Sequence, residues 1–351
     1  MTQILNNKFF IIVILLCLGI LSSYSLPPYN YFFINFFTFP FLFYILVINL
    51  NRNLINNFLI GWFYGFGYFL SNLYWISNSL KFDENFEKLI VLSILLIPFL
   101  LSIFYGLFTY SLKFLNIKMN FSSILIFSLT LSILEYLRGS IFGGFPWNLI
   151  LFSLVNFISS LQILSVIGTY SLNLLVITFY TLPIIIFFKI RKLEKLIILL
   201  STILILLINM YYGYNRIEKV KNTANKTISP PIKLVSPKFN IERFFIDEPV
   251  EKKIKELFEN SYPLDKDLLV IFPEGITNIG EINQLENDFD NISNQLTNKS
   301  KIILGITLDD GEKIFNSLAL FNKDFILEDK YNKNKLVPFG EYLPFENFLS
   351  K

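Results

Sequence analysis

LIILLSTILILLINMYYG, residues 196–213, is an apolar run without a single charged side chain. About 20 mostly apolar residues are enough to cross the hydrocarbon core of a bilayer as a helix. Directly after this run, from about residue 214, charged residues and asparagines become frequent, and the apolar runs shrink to the length of strands. The stretch therefore marks the boundary between a predicted transmembrane bundle, residues 1–213, and a predicted α/β domain, residues 214–351.

Further apolar runs precede this stretch, and together they predict about seven membrane helices. The predicted spans lie at roughly 9–25, 31–50, 55–77, 89–112, 121–137, 158–188 and 196–213. The composition agrees, because 53% of the 351 residues are hydrophobic and 16% are charged, which is unlike a soluble protein. The sixth run is long enough to tilt or to contain a re-entrant segment. Ser23-Tyr24-Ser25 loosely imitates a signal-peptide cleavage site, but further spans follow at once.

The charges of the loops predict the orientation, because Lys and Arg are enriched in cytoplasmic loops. With a cytoplasmic N-terminus, the inside loops would carry eight basic residues, namely Lys8, Arg52, Lys113, Lys118, Lys189, Arg191, Lys192 and Lys195. The outside loops would carry three, namely Lys81, Lys88 and Arg138. Seven spans then place everything after about residue 214 outside the cytoplasm.

The absence of histidine limits the chemistry that this chain can perform. Without histidine there is no Ser-His-Asp or Cys-His catalysis, no His-ligated haem, and little prospect of a zinc site. Proton transfer is left to Glu, Asp, Lys, Tyr or Cys17, the single cysteine, which is most simply a small side chain of the first apolar run. The net charge of +3 is too small to indicate nucleic acid. We expect no cofactor and no metal.

The region after residue 214 predicts alternating strands and helices. Four apolar runs have the length and composition of strands: Ile232–Val235, Leu268–Phe272, Ile302–Ile306 and Leu318–Phe321. Residues 249–260 and 281–297 have helical spacing with polar faces. Strand, helix, strand, helix and then a hairpin-like pair predict an α/β domain.

Glu274 is the first candidate for chemistry. In LLVIFPEGITN, residues 268–278, it follows an apolar strand and stands between Pro273 and Gly275. Ligands bind at the carboxyl ends of strands in α/β sheets. A half-buried carboxylate there would have a raised pKa and could serve as a general base. Taken alone, the stretch is equally compatible with a helix cap or a solvated carboxylate.

The second candidate stretch is YNKNKLVPFGEYLP, residues 331–344. Lys333 precedes Glu341 by eight residues, and the Pro-Phe-Gly between them can bend the chain so that both ends meet at one site. A lysine beside a carboxylate can stabilise an oxyanion or a thiolate. An exposed charged loop is the alternative interpretation.

The third stretch, EYLRGSIFGGFPWNLI, residues 135–150, lies between two predicted spans. Arg138 at a membrane boundary is unfavourable unless it meets a phosphate or a carboxylate. Phe145, Pro146 and Trp147 place an aromatic residue at the depth of the lipid headgroups. The alternative is an ordinary interfacial anchor.

These three stretches occur together, in this order, in one family, and the chain resembles the bacterial apolipoprotein N-acyltransferases. GWFYGFGYFLSNLYWISNSL (61–80) resembles the glycine- and aromatic-rich early span of that family, and EYLRGSIFGGFPWN resembles its Leu-Arg-Gly to Phe-Pro-Trp loop. FPEG resembles the segment with its catalytic Glu, FNSLALFN (315–322) its Asn-Ser strand, and YNKNKLVPFGEYLP its most specific motif. The resemblance covers essentially the whole chain.

The resemblance implies a polytopic α-helical membrane bundle followed by a nitrilase-like αββα domain on the periplasmic side of the bacterial inner membrane. It implies a Glu-Lys-Cys triad whose thiolate takes an acyl chain from a phospholipid and passes it to the N-terminal amine of a diacylated apolipoprotein. Glu274 would be the base, Lys333 would stabilise the thiolate and the oxyanion, and Glu341 would support the site. Phospholipid and other membrane lipids would contact a substrate-binding group formed by Arg138, Phe145, Pro146, Trp147 and Asn316.

The sequence departs from the family pattern at three places. Lys335 stands where the family has a His, and residues 235–245, VSPKFNIERFF, lack the usual Gln-x-Asn pattern and have Phe in place of a substrate-contacting Trp. The family places its catalytic Cys a few dozen residues beyond the PFGE motif, and these 351 residues do not include it. The resemblance therefore predicts a C-terminally truncated chain that is inactive as written, with an unpaired sheet edge.

Two other classes of function remain open at this point. One is a membrane-tethered nitrilase-type amidase, which would share the triad but hydrolyse a C–N bond. The other is a non-catalytic membrane binding protein, or one subunit of a split enzyme whose partner supplies the Cys. A transporter has little support, because the spans show no paired intramembrane charges and no inverted repeat.

Overall fold

A computed structural model describes residues 8–51, 53–82, 84–141, 144–223, 230–236, 256–259, 264, 267–275, 277–278, 293–294, 296–309, 311, 313–337 and 341. The chain divides into two compact units: unit 1, Met1–Asn222, and unit 2, Thr223–Lys351. Each unit has a hydrophobic core of its own.

The described part of unit 1 is built from helices. The α-helices are α1 (Lys8–Ser23), α2 (Asn35–Asn49), α3 (Leu54–Leu73), α4 (Ile90–Phe114), α5 (Phe121–Arg138), α6 (Ile158–Leu161), α7 (Leu164–Ile167), α8 (Thr169–Thr181) and α9 (Lys192–Thr223). Short 3-10 helices connect several of them, at Phe32–Ile34, Tyr74–Phe82, Glu84–Leu89, Ile150–Leu154 and Leu182–Phe187.

Several of these helices are long and apolar enough to cross a membrane. Among the described residues there are five such stretches, Phe32–Asn49, Glu87–Phe114, Phe121–Arg138, Thr169–Phe187 and Lys192–Thr223. The predicted span at 9–25 is the shorter apolar helix α1, and the one at 55–77 is α3, which is not apolar enough to be counted. The predicted run at 158–188 is interrupted at Gly168, whose φ of +77° separates α7 from α8.

Helices α1 and α3 pack closely because glycines replace side chains where they cross. A Cβ atom on Gly19 would lie 2.0 Å from the carbonyl oxygen of Tyr64, and one on Gly67 would lie 2.3 Å from that of Leu16. Small residues that let backbones approach are typical of helix contacts in membranes. Next to this crossing, the Ser22 hydroxyl is hydrogen-bonded to Tyr64 (2.7 Å) and Thr38 (2.6 Å), which joins three helices through buried polar groups.

Unit 2 contains a mixed six-stranded sheet. Its described strands are β1 (Ile232–Leu234), β2 (Leu269–Ile271), β3 (Thr277–Asn278), β4 (Lys301–Asp309), β5 (Ile314–Asn322) and β6 (Leu327–Asn332). Their order is β1-β2-β4-β5-β6, with β3 also paired to β4. β1, β2 and β3 run parallel to their neighbours, whereas β4, β5 and β6 form an antiparallel meander.

The four predicted strands and the hairpin-like pair are confirmed, and β4 and β5 are longer than expected. Apolar side chains of the sheet and of the helical residues 256–259 form the core of unit 2, including Leu257, Phe258, Val270, Phe272, Ile302, Leu304, Ile306, Ala319 and Phe321. The predicted helix at 249–260 is described only at 256–259, where it is helical, and most of the one at 281–297 lies outside the described residues.

Candidate active site

Four polar side chains from different parts of the sheet meet at one place in unit 2. Glu274 follows β2, Asn316 lies on β5, Lys333 comes directly after β6, and Glu341 lies eight residues further on. The backbone N–H of Lys333 donates to the carbonyl oxygen of Asn316 at 2.8 Å. This bond continues the pairing of β5 with β6 and so fixes Lys333 beside Asn316.

Lys333 and Asn316 bridge the two carboxylates. The Nζ of Lys333 donates to Oε1 of Glu274 at 3.0 Å and to Oε1 of Glu341 at 2.7 Å. The Nδ2 of Asn316 donates to the same two oxygens, at 2.6 Å for Glu341. One ammonium and one amide thus hold two carboxylates together. The resemblance implied that Asn316 binds substrate, but the structure places it among the predicted catalytic residues.

The local turn before Glu341 orients its side chain. The N–H of Val337 donates to Oε2 of Glu341 at 2.6 Å, and the N–H of Glu341 donates back to the carbonyl oxygen of Val337 at 2.9 Å. The second carboxylate oxygen is therefore occupied by the backbone, and only Oε1 faces Lys333. Pro338–Gly340, which the sequence predicted to bend the chain here, lie outside the described residues.

Gly305 of β4 allows the loop that carries Glu274 to lie directly against the sheet. A Cβ atom at Gly305 would lie 2.4 Å from the Cα of Glu274 and 2.6 Å from the carbonyl oxygen of Pro273. The cluster borders a cleft of about 230 Å³, lined by Glu274, Gly305, Asn316, Ser317, Leu318, Tyr331 and Lys333. Sequence reasoning missed Gly305, because a lone Gly inside an apolar strand only hints at a close backbone approach.

The pKa values of the cluster follow from its hydrogen bonds. Those from Lys333 and then Asn316 lower the pKa of Glu274, and those to Glu341 and Glu274 raise the pKa of Lys333. Burial acts to raise the pKa of Glu341, but the bonds from Lys333, Val337 and Asn316 together lower it. The predicted raised pKa of Glu274 is wrong: its side chain is 62% exposed and faces a cation, so desolvation is the smaller effect.

The remaining predicted site residues lie in unit 1, around the loop that follows α5. Arg138 is buried, and its Nη1 donates to the carbonyl oxygens of Phe145 at 2.6 Å and Trp147 at 2.8 Å. Trp147 is 52% exposed, and its ring stacks on that of Trp75. Pro146 lies between the two carbonyls that Arg138 binds.

Glu135 is a residue that sequence reasoning missed. It lies three residues before Arg138 on α5, its Oε1 is 3.9 Å from Nη2 of that arginine, and both side chains are at most 1% exposed. The prediction that the spans lack paired intramembrane charges is therefore wrong. The signal was present in the spacing Glu-Tyr-Leu-Arg, because residues three apart share a helix face.

Three further expectations concern residues 235–245, Cys17 and a metal site. Of residues 235–245, only Val235 and Ser236 are described. Cys17 lies exposed on α1. Among the described residues, no group of three or more His, Cys, Asp or Glu could hold a metal ion.

Comparison with known proteins connects both units to one family. The family model for the N-terminal domain of apolipoprotein N-acyltransferase matches residues 18–182. The chain is 30% identical to the apolipoprotein N-acyltransferase of Rickettsia prowazekii (strain Madrid E) over 96% of its own length and 67% of that protein. It is 31% identical to the one of Rickettsia typhi (strain ATCC VR-144 / Wilmington), again over 96% of this chain and 67% of the relative.

A third apolipoprotein N-acyltransferase, from Allorhizobium ampelinum (strain ATCC BAA-846 / DSM 112012 / S4), is 27% identical over 95% of this chain and 65% of that protein. In each comparison the matched region includes nearly all of the 351 residues, so it contains the loop after α5 as well as the Glu274–Lys333 cluster. The chain spans about two thirds of the length of these relatives. It belongs to the apolipoprotein N-acyltransferase family.

Proposed function

We propose that the chain serves the transfer of an acyl group from a phospholipid to the N-terminal diacylglyceryl-cysteine of lipoproteins. The observation that carries this proposal is the cluster of Glu274, Asn316, Lys333 and Glu341, which forms in a chain of this family. It supplies a base, a cation and an amide donor at one cleft. Those are the groups that a thiol nucleophile needs when no histidine is available.

The first half of the reaction forms a thioester. Glu274 takes the proton of a thiol, and the thiolate attacks the ester carbonyl of the phospholipid. Lys333 stabilises the oxyanion of the tetrahedral intermediate, which collapses as the lysophospholipid leaves with the proton. In the second half, the amine of the diacylated cysteine attacks the thioester and gives its proton to Glu274. An amide forms and the thiol is restored.

The charges of the cluster suit these roles. Because the pKa of Glu274 is lowered, its carboxylate is ionised at neutral pH and ready to accept a proton. Such a carboxylate is a weak base, so a cation is needed to lower the pKa of the thiol as well. Lys333 is that cation, and Glu341 and Asn316 hold it beside Glu274 as positioning residues.

The reaction also needs the thiol itself. Cys17 is the single cysteine of these 351 residues and lies on the apolar helix α1. Cys17 belongs to unit 1, whereas the cluster belongs to unit 2. We therefore propose that Cys17 is not the nucleophile, and that these 351 residues alone do not transfer acyl groups.

The finer placement of the chain is part of the proposal. Unit 1 would be a bundle of about seven membrane helices, ending near residue 213, in the bacterial inner membrane. Unit 2 would belong to a nitrilase-like αββα domain on the periplasmic side. The excess of basic residues in one set of loops supports this orientation, and the mixed sheet of unit 2 is compatible with that fold. The donor would enter laterally between the helices, and the acceptor would be a diacylated apolipoprotein.

The test combines an intact mass with an acyl-transfer assay. The native gene product is purified, weighed, and incubated with a phospholipid carrying a labelled acyl chain and a synthetic diacylated peptide. If the gene product is heavier than the 41.1 kDa of these 351 residues, we expect it to form a labelled thioester and N-acyl peptide. Both products should be lost in Lys333→Met and retained in Cys17→Ala. Acyl transfer by the 351-residue chain alone, or release of ammonia from an amide without a fatty acyl thioester, would contradict the proposal.

A further inference from the structure

The two carboxylates of the cluster in unit 2 are bound unequally. Both oxygens of Glu341 accept hydrogen bonds, Oε1 from Lys333 and Asn316, and Oε2 from the backbone N–H of Val337. Glu274 accepts from Lys333 and Asn316 through Oε1. No described residue donates to its Oε2, and its side chain is 62% exposed. Glu274 therefore keeps one carboxylate oxygen available to a ligand.

The cluster carries more negative than positive charge. Glu274 and Glu341 are two carboxylates, and Lys333 is the one cation among the described residues that forms an ion pair with either of them. A net negative charge at a cleft attracts cations. A ligand group that is positively charged and has N–H donors would fit both the charge of the cluster and the available oxygen of Glu274.

An aromatic ring lines the other side of the same cleft. Tyr331 lies two residues before Lys333, and residues two apart in a strand share a face of the sheet. Tyr331 of β6 is paired with Leu318 of β5, and Leu318 is paired with Gly305 of β4. The loop of Glu274 lies directly over Gly305. Leu318 is thus the floor of the cleft, between the carboxylate of Glu274 and the ring of Tyr331.

These three side chains have the chemistry of a site for an alkyl ammonium group. Tyr331 is 60% exposed, and its hydroxyl accepts a hydrogen bond from Nδ2 of Asn334 at 2.7 Å, which orients the ring. An aromatic ring attracts cations that approach its face, and a carboxylate binds an ammonium group through charge-assisted hydrogen bonds. Leu318 is 46% exposed and offers an apolar contact to the carbon that carries the ammonium.

We propose that Oε2 of Glu274 and the ring of Tyr331 form a binding site for a primary ammonium group, with Leu318 beneath its first carbon. The inference rests on the proposed function, in which two molecules can carry such a group. One is the acceptor, through its N-terminal amine, and the other is a phospholipid whose headgroup ends in a primary amine. A bound acceptor loses one proton from its ammonium to Glu274, which passes it to water, and then attacks the thioester as the neutral amine.

The first test measures binding and needs no activity. The purified chain with selectively labelled glutamate is titrated with ethylammonium chloride, and the carboxyl NMR signal of Glu274 is followed at constant ionic strength. We expect a saturable shift that propanol, a neutral molecule of similar size, does not produce. Tyr331→Thr keeps a hydroxyl and favours a strand but has no ring, so it should weaken binding about two- to fivefold. Tyr331→Phe keeps the ring and should bind like the wild type.

Asp329→Asn is the matched control. It removes an exposed carboxylate of β6 that does not line the cleft, and we expect it to leave binding of ethylammonium unaltered. Tetramethylammonium, which has no N–H to donate to Oε2, should shift the signal of Glu274 less than ethylammonium does. Equal shifts from ethylammonium and propanol would overturn the site. So would equal weakening of binding by Tyr331→Thr and Asp329→Asn.

The second test separates the two sources of the ammonium group. The chain in nanodiscs of phosphatidylglycerol is mixed with a synthetic diacylated peptide whose N-terminus is either free or acetylated. The same chain is also placed in nanodiscs of phosphatidylethanolamine without peptide. A shift of the Glu274 signal with the free peptide alone assigns the site to the acceptor, and a shift with phosphatidylethanolamine alone assigns it to the headgroup. The absence of a shift in both cases would overturn the proposal.

The third test uses the acyl-transferring native gene product. We expect Tyr331→Thr to raise KM about two- to fivefold for the substrate that the second test identifies, with little change in kcat, and Tyr331→Phe to retain the wild-type KM. Acyl transfer with an unchanged KM in Tyr331→Thr would overturn the role of Tyr331 and leave the proposed function standing. Binding of the ammonium without any acyl transfer would support the site and count against the proposed function.

Discussion

Lys333 is the residue on which the electrostatics of the candidate site depend. It is hydrogen-bonded to two carboxylates, one of which is 62% exposed. Without the ammonium, the carboxylates of Glu274 and Glu341 would share only the amide of Asn316. Two like charges held close together disfavour the ionised form of each carboxyl group. The lysine therefore helps to lower the pKa of both Glu274 and Glu341.

The first prediction concerns Lys333→Met. We expect the pKa of Glu274 to rise towards its ordinary value of 4.5, because Lys333 is the main cause of the lowered pKa. The measurement is a carboxyl NMR titration of selectively labelled glutamate in the purified chain. Lys335→Met, an exposed lysine in the same loop, is the control and should leave this pKa unaltered. If the pKa of Glu274 is the same in Lys333→Met as in the wild type, Lys333 is not the cause of the lowered pKa.

The second prediction concerns the pH dependence of the stability of unit 2. The lowered pKa values of Glu274 and Glu341 contribute stability above their unfolded value of 4.5, and this stability is lost as the pH falls through the folded values. The raised pKa of Lys333 contributes stability below 10.5 that is lost at higher pH. Thermal unfolding of the chain should thus show a plateau between these limits. In Lys333→Met, the fall of the unfolding temperature at acid pH should be shallower than in the wild type. An identical fall in both proteins would argue against the cluster.

The residues of the cluster were predictable from the sequence only through their motifs. The spacing of Lys333 and Glu341 around a Pro-Phe-Gly bend predicted that they meet, and they do. The pKa of Glu274 was not predictable, because exposure and the bridging by Asn316 depend on the register of β5 against β6. Likewise, the partner of Arg138 was visible as Glu135 in the same helix. The hydrogen bond from Asn173 to Glu135 was not, because it depends on the packing of α8 on α5.

At the scale of elements, β4 is the strand that brings the loop of Glu274 to the cluster. It pairs with β2 and β3 on one side and with β5 on the other. Gly305 lies in its middle, where backbone atoms of Pro273 and Glu274 lie within 2.6 Å of the point that a Cβ atom would occupy. Backbone atoms cannot rotate away as a flexible side chain can.

The third prediction is therefore that Gly305→Ala displaces Glu274. We expect a loss of about 1–3 kcal/mol of stability, as for overpacked positions generally, and a loss of acyl transfer in the native gene product. Thr307→Ala, at an exposed position two residues along the same strand, is the control. The readouts are the thermal midpoint and the pKa of Glu274. Wild-type values for both in Gly305→Ala would show that the loop has room to move.

The elements that the sequence predicted well are those with a simple apolar pattern. Apart from Lys233, apolar residues make up the four predicted stretches, and each stretch contains a strand: 232–235, 268–272, 302–306 and 318–321. β6, LEDKYN, was not predicted, because five of its six residues are exposed and it has no apolar alternation. The interruption at Gly168 was also missed, because a single glycine inside a long apolar run is tolerated in many membrane helices.

At the scale of the whole molecule, the chain combines a helical unit of apolar surface with a unit built on a mixed sheet. The lengths of the helices and their composition carry the membrane assignment, and the family membership covers both units. The orientation across the membrane rests on loop charges alone, so it calls for its own measurement.

The fourth prediction is that unit 2 and the loop between α4 and α5 lie on opposite sides of the membrane. In a Cys17→Ala background, Lys330→Cys and Lys118→Cys each introduce one exposed thiol. We expect a membrane-impermeant maleimide to label Lys330→Cys in intact spheroplasts, and to label Lys118→Cys only after lysis. Labelling in the reverse order would mean that the chain has the opposite topology.

The topology of the sheet has a consequence for the order of folding. β4, β5 and β6 are neighbours in sequence, joined by residues 310–313 and 323–326, whereas β1 and β2 pair across residues 235–268. Contacts between near neighbours form before those that close long loops. The meander that carries Asn316 and Lys333 is thus expected to fold early, and β2 with Glu274 to join it late. Until then Glu274 does not lie beside Lys333, so the candidate site is among the last features of unit 2 to form during synthesis.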